Sequence, residues 1–299
     1  MAVYKKTYRS YEGRMTPEWS RFFVLTRYAW EDLRRRRFFT IFFLGTMTWP
    51  IICALGIYIR HNLSALELMG IRAASMVKID SSFFLAFLGV QCMFAFFLNS
   101  FVGPGLVSPD LANNALPLYL SRPFSRTEYV LGRMSMLLIL LSLMTWIPGE
   151  FLFGLQSYLE GWDWFKANVG LAWGLFAGSG VWIVFLALLS LSVSAWVKWK
   201  PVAGGLLFGL FFVAAGFGQA INAVLRTKWG NLINISNLVG SIWVSLFNKP
   251  LESGSGAVFF RIARGEEIPV WMCWVSLGLI CLFCLWLLGR KIRGVEVSR

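Results

Sequence analysis

The sequence predicts an all-α polytopic membrane protein with six transmembrane helices, and three observations carry the prediction. Of the 299 residues, 57% are hydrophobic and only 14% are charged, whereas a soluble domain carries about 25% charged residues. Mean hydropathy is +0.63, and apolar runs long enough to cross a bilayer recur from end to end. None of these runs alternates with period two. They therefore read as helices and not as barrel strands, because backbone groups in lipid must pair internally. Disorder, collagen-like repeats and a disulfide-stapled secreted fold are excluded by the same composition.

Residues 1–37 form a basic segment, and no signal peptide is expected, since the first apolar run follows it. Thr16-Pro17 reads as a helix start, with Thr16 as N-cap and Pro17 as the first helical residue. Trp19, Phe22, Phe23, Trp30 and Leu33 then recur near helical spacing against Arg21, Arg27, Asp32 and Arg34. This pattern suits an amphipathic helix lying in the headgroup layer. It serves equally as an anchor or as a mechanical connector between a partner and the first span.

A spanning helix needs about 20 apolar residues. Six stretches meet that length within one domain, at about 38–59, 82–107, 134–155, 169–197, 202–225 and 270–288. A basic tail, 290–299, closes the chain. Residues 226–269 are more than a loop: Leu232, Ile233, Ile235, Leu238, Val239, Ile242, Trp243, Leu246 and Phe247 are interrupted by Asn231, Asn234, Ser236, Asn237 and Ser241. Too short and polar to span, this stretch reads as a re-entrant or interfacial helix.

Lysines and arginines set the orientation. With six spans both termini share a side, and 19 of the 28 basic residues fall there, including Arg34–Arg37, Arg122, Arg126, Arg133, Lys198 and Lys200. Both termini are expected in the cytoplasm, in a cell or plasma membrane. The net charge of +13 then follows from positive charge beside anionic lipid, so membrane lipid and not nucleic acid is the expected partner.

Little chemistry is on offer. His61 is the sole histidine, and there is no GxSxG, HExxH or GxxxxGK[ST] motif. The chain is read as a non-enzyme with no catalytic residue, metal or cofactor of its own. Cys281 and Cys284 are spaced to share a helix face, and the blander reading is two inert buried thiols. Glu150, after Pro148-Gly149, is the one carboxylate deep in a span. It could serve a substrate path or a proton site, or sit near the interface satisfied by neighbouring backbone. Gly170, Gly174 and Gly178, and Gly205 and Gly209, give small faces for close helix packing, read first as an intramolecular seam.

The most informative stretch joins the second and third spans, from Ser108 to Arg133. Ser108 or Asp110 can cap a short helix with Leu111, Ala115, Leu116, Leu118 and Leu120 on its membrane side, bent or ended at Pro117. Arg122-Pro123 makes a turn and Ser125 can cap the next helix, with Arg126 and Glu128 projecting outward. A short amphipathic element held between two spans is a natural docking surface.

Asp110, Leu116–Leu120, Ser121-Arg122-Pro123-Phe124-Ser125-Arg126, Tyr129 and Gly132-Arg133 together resemble the corresponding segment of ABC-2 type transporter permeases. The layout of a basic amphipathic helix followed by six spans is similar too. Two departures stand out: Asp110 occupies a position where glutamate is common, and Asn113-Asn114 replaces a frequent Gly-Thr pair. The resemblance implies a permease subunit of an ATP-driven exporter, paired with a second permease and with two copies of an ABC ATPase subunit that bind the ATP and Mg. Residues 108–128 would form a cytoplasmic coupling helix. Asp110, Arg122, Arg126 and Glu128 would make polar contacts with the ATPase, while Leu116, Leu118, Tyr119, Pro123 and Phe124 present the turn and apolar contacts. The competing readings are a stand-alone carrier or channel using Glu150, and a non-transporting membrane scaffold.

Overall fold

The computed structural model describes residues 17, 20–62, 78–113, 115, 125–247 and 268–292, all helix or connecting turn. Six of its helical units are long and apolar enough to cross a membrane. The chain is a multi-pass helical bundle of membrane type.

Helix α1 (Arg21–Arg34) precedes the bundle. Pro17 is not its first residue: it lies one turn earlier, and its carbonyl accepts from the Ser20 backbone N–H at 3.1 Å. The first span is two helices, α2 (Arg37–Thr46) and α3 (Thr48–His61), bent at Met47. Pro50 falls in the opening turn of α3, where a missing N–H breaks no helical bond. The second span joins α4 (Ser81–Val102) to α5 (Pro104–Ala112) through Gly103. Asp80 caps α4, its side chain accepting from the N–H groups of Ser82 and Phe83 at 2.8 and 3.2 Å.

The third span joins α6 (Arg126–Met144) to α7 (Trp146–Glu160) at Thr145. Gly161 alone separates α7 from α8 (Trp162–Trp196), and its φ of 98° is open to glycine at little cost. At 35 residues, α8 is ~50 Å long against a hydrocarbon core of about 30 Å. Its first turns therefore project beyond the apolar run from which the span was read, and the same holds for the polar start of α6. Helix α9 (Lys200–Leu225) is the fifth span and α11 (Val270–Lys291) the sixth.

Helix α8 is the central post. Of its most apolar window 72% is buried, against 22% for the first, fifth and sixth spans, and α4 to α7 and α9 all pack on it. Trp182 is fully buried at its middle and donates its indole N–H to the Cys92 carbonyl at 3.0 Å. Phe185, Phe211 and Trp243 surround that ring.

The stretch after the fifth span turns back into the bundle. Arg226 adopts a left-handed φ of 48°, and Gly230 then lies against Gly218, two turns back along α9. The Gly230 N–H donates to Asn222 Oδ1 at 2.8 Å, and the amides of Asn222 and Asn237 both donate to Asn231 Oδ1. Asn234 then caps α10 (Ile235–Leu246). These asparagines are what lets a polar turn sit beside lipid-spanning helices: they satisfy one another. Helix α10 buries Leu238, Val239, Ile242 and Trp243 and packs on α8 and α11. The Trp243 indole donates to the Gly178 carbonyl at 2.9 Å, and the Phe247 ring covers Gly174. Two of the three glycines of the α8 stripe therefore serve an intramolecular seam. A Cβ at Gly170, Gly205 or Gly209 would meet nothing among the described residues.

Candidate functional site

The predicted docking segment connects α5 to α6 along the chain, and the structure defines how the residues on either side of it are held. Serine 125 opens α6 with a capping box: its hydroxyl accepts from the Glu128 N–H at 3.2 Å, and its own N–H donates to the Glu128 carboxylate at 2.5 Å. One turn on, Tyr129 and Arg133 share a helix face by their i,i+4 spacing. Both reach the last turn of α5, where Tyr129 donates its hydroxyl to Asp110 Oδ2 at 2.6 Å and Arg133 donates through Nη2 to the same oxygen. The Arg133 guanidinium also lies 5.6 Å from the centre of the Tyr129 ring. Tyr129 is fully buried, and the Arg133 and Asp110 side chains are only 12% and 14% exposed. The triad is a clasp that closes the base of the segment.

Two further contacts brace the clasp. Helix α1 lies across α6, with the Thr26 hydroxyl donating to the Gly132 carbonyl at 3.0 Å. Gly132 is required for this approach, because a Cβ there would stand 2.8 Å from the Phe22 carbonyl oxygen. On the other side, Ser194 of α8 is inserted beside the first turn of α5. Its hydroxyl accepts from the Ser108 N–H and donates to the Pro104 carbonyl, both at 2.9 Å. The Ser108 hydroxyl donates to the Val197 carbonyl at 2.6 Å. The ends of α5, α6 and α8 and the whole of α1 thus form one braced block.

The predicted site residues fare differently. Asp110 is turned inward to Tyr129 and Arg133, so neither it nor Ser108 caps a helix; both lie inside α5. Arg126 is exposed at the start of α6, and Glu128 is half-buried against Ser125. Leu116, Leu118, Tyr119, Arg122, Pro123 and Phe124 lie outside the described residues. The inward partners Tyr129 and Arg133 were visible only as parts of a motif. Thr26 and Ser194 carried no signal, because a hydroxyl on an apolar helix does not announce its acceptor. The amphipathic pattern of α1 marks a protein-facing side, with Thr26 and Leu33 buried, and leaves Phe23, Val24 and Tyr28 exposed.

Glu150 does not join this block. It sits half-buried in α7, with no hydrogen bond or ion pair to another described residue. The opposite end of that helix makes a separate polar contact, Gln156 bridging His61 at 3.3 Å and Glu160 at 3.4 Å. Among the described residues no group of three histidine, cysteine or acidic side chains is placed to hold a metal ion. No family model matches the chain, and no curated protein does.

Proposed function

We propose that this chain is the transmembrane permease subunit of an ATP-driven ABC-2 type transporter, with both termini cytoplasmic and the 108–128 segment coupling a separate ATPase subunit to the spans. The observation that supports this best is the clasp. A loop that only joined two spans would need no buried ion pair at its base, whereas a loop that receives force must be tied to the helices it moves. Here Asp110 ties α5 to α6, Gly132 ties α6 to α1, and Ser194 ties α5 to α8. A displacement applied at the exposed Arg126 would reach all four elements before any of them slipped. ATP-driven closure of the ATPase would then shift the bundle between two arrangements.

In this reading Arg122, Arg126 and Glu128 face the ATPase, and Asp110 acts behind them as a positioning residue. A second permease completes the membrane unit. The test is affinity purification of the full-length chain in mild detergent, with identification of co-purifying polypeptides. A protein with a phosphate-binding loop should accompany wild type and be lost from Arg126→Glu, with the membrane yield unchanged. Equal recovery from that variant would overturn the coupling assignment. The half-buried carboxylate of Glu150, which has no partner among the described residues, favours a second reading, a stand-alone carrier. That reading predicts ion-coupled flux in proteoliposomes holding this chain alone.

A further inference from the structure

The first and third spans are interrupted in the same way. Met47 and Thr145 each share one backbone N–H between two carbonyls of the preceding turn: Leu44 and Phe43 at 3.1 and 3.3 Å, and Ser142 and Leu141 at 3.3 and 3.0 Å. Each then accepts from the residue four positions on, Ile51 at 3.4 Å and Gly149 at 3.2 Å. At both points a buried threonine hydroxyl donates back along the helix, Thr46 to the Phe43 carbonyl at 2.7 Å and Thr145 to the Leu141 carbonyl at 2.8 Å. Such back-bonding often bends helices. Pro50 and Pro148 both stand third in the helix that follows the break. Neither can supply the N–H that an unbroken helix would bring to the carbonyls of Thr46 and Met144. Gln91 Nε2 reaches the Thr46 carbonyl instead, at 3.4 Å.

The two breaks lie at one depth. Counted from the contact of His61 with Gln156, at the end of the bundle away from the clasp, they are about 21 and 17 Å down their helices. On either side of that level the two spans are fastened to each other. Beyond it α3 packs on α7, with His61 Nε2 3.3 Å from Gln156 Oε1. On the clasp side α1 holds α6 through Thr26 and holds α2 through the edge-on contact of Trp30 with Phe39 at 6.3 Å. The two sides differ in how they meet the core. The clasp side is tied by hydrogen bonds and a buried ion pair. Among the described residues, the polar side chains of α7 bond only within α7 or to α3. Its core-facing surface is apolar, with Leu152 and Phe153 buried and Gly149 seated against Phe87 and Leu175. Packed helices without directional bonds can slide past one another in small steps.

We infer that Met47 and Thr145 form one paired hinge, about which α3 and α7 swing together as a flap against the braced block that carries the clasp. Breaks at different depths would oppose each other's rotation, whereas breaks at one depth share an axis. Helix α7 is 15 residues, or ~22 Å, long. A turn of about 20°, the scale of a proline kink, therefore moves its far end by about 8 Å. The hinge stands on backbone geometry and packing and needs no ATPase; only its use in transport rests on the permease reading.

Double electron–electron resonance on the full-length chain in lipid nanodiscs tests this, with spin labels on Tyr158→Cys near the far end of α7 and on Tyr28→Cys in α1, both exposed positions. The native cysteines lie within the spans, buried or half-buried, and the chain without added cysteines supplies the background. Distances between the two labels should spread over about 8 Å. Labels on Tyr28→Cys and Trp199→Cys, both on the clasp side, should give one narrow distance. Pro50→Ala with Pro148→Ala restores both helical hydrogen bonds and should collapse the cross-hinge spread to a single population. The Tyr28–Trp199 distance should hold in that variant, which shows that it is folded. Either alanine alone should leave part of the spread. A single narrow Tyr158–Tyr28 distance with both prolines in place, or a spread that both alanines leave unchanged, would overturn the hinge.

Discussion

Replacing Asp110 with alanine removes the acceptor shared by two buried donors. Tyr129 loses that acceptor and keeps the Arg133 guanidinium beside it, and Arg133 is left as a buried guanidinium whose Nε already has no partner among the described residues. Breaking one side of a buried pair costs about 3–5 kcal/mol, because the surviving charge stays desolvated. Asp32–Arg36 provides the contrast within the same end of the molecule: both side chains are more than half exposed, and such pairs contribute about 0–1 kcal/mol. Thermal unfolding in detergent, followed by tryptophan fluorescence, should therefore fall by on the order of 10 °C for Asp110→Ala and hardly move for Asp32→Ala. Asp110→Asn keeps an oxygen acceptor for Tyr129 and should lie between. Asp110→Leu combined with Arg133→Met removes both charges and should recover most of the loss. If Asp110→Ala were no worse than Asp32→Ala, or if the double variant lost the sum of the two single losses, the clasp would not be a coupled buried pair. The mechanical argument would go with it.

Three other outcomes are expected. Gly132→Val drives a side chain into the Phe22 carbonyl and Leu25, so α1 should lose amide-exchange protection, with a stability cost of about 1–3 kcal/mol; full protection of α1 would contradict its docking on α6. Trp243→Ala empties a fully buried site and breaks the bond to Gly178, costing about 3–5 kcal/mol, and a melting point near wild type would show that α10 is not seated in the bundle. Glu150→Gln removes a half-buried carboxylate with no described partner, so the melting temperature should hold or rise, and a marked fall would reveal a partner for that group.

The sequence by itself determined the fold class, the number of spans and the places where the chain is polar, because lipid imposes one requirement on every residue of a spanning helix. It also marked the Asn- and Ser-rich stretch after the fifth span as more than a loop, and that stretch holds the short helix α10. It put the right capping residue at Ser125, since a capping box is local chemistry three residues long. It did not determine which polar residues face inward. Asp110 lies 23 positions from Arg133, and Thr26 more than a hundred from Gly132, so no local pattern joins them. Only the packing of α5, α6 and α1 turned a predicted surface carboxylate into a buried clasp. The seat of Trp243 on Gly178 was decided the same way. Hydropathy fixes how deep a residue lies, while the direction it faces depends on which helix arrives beside it.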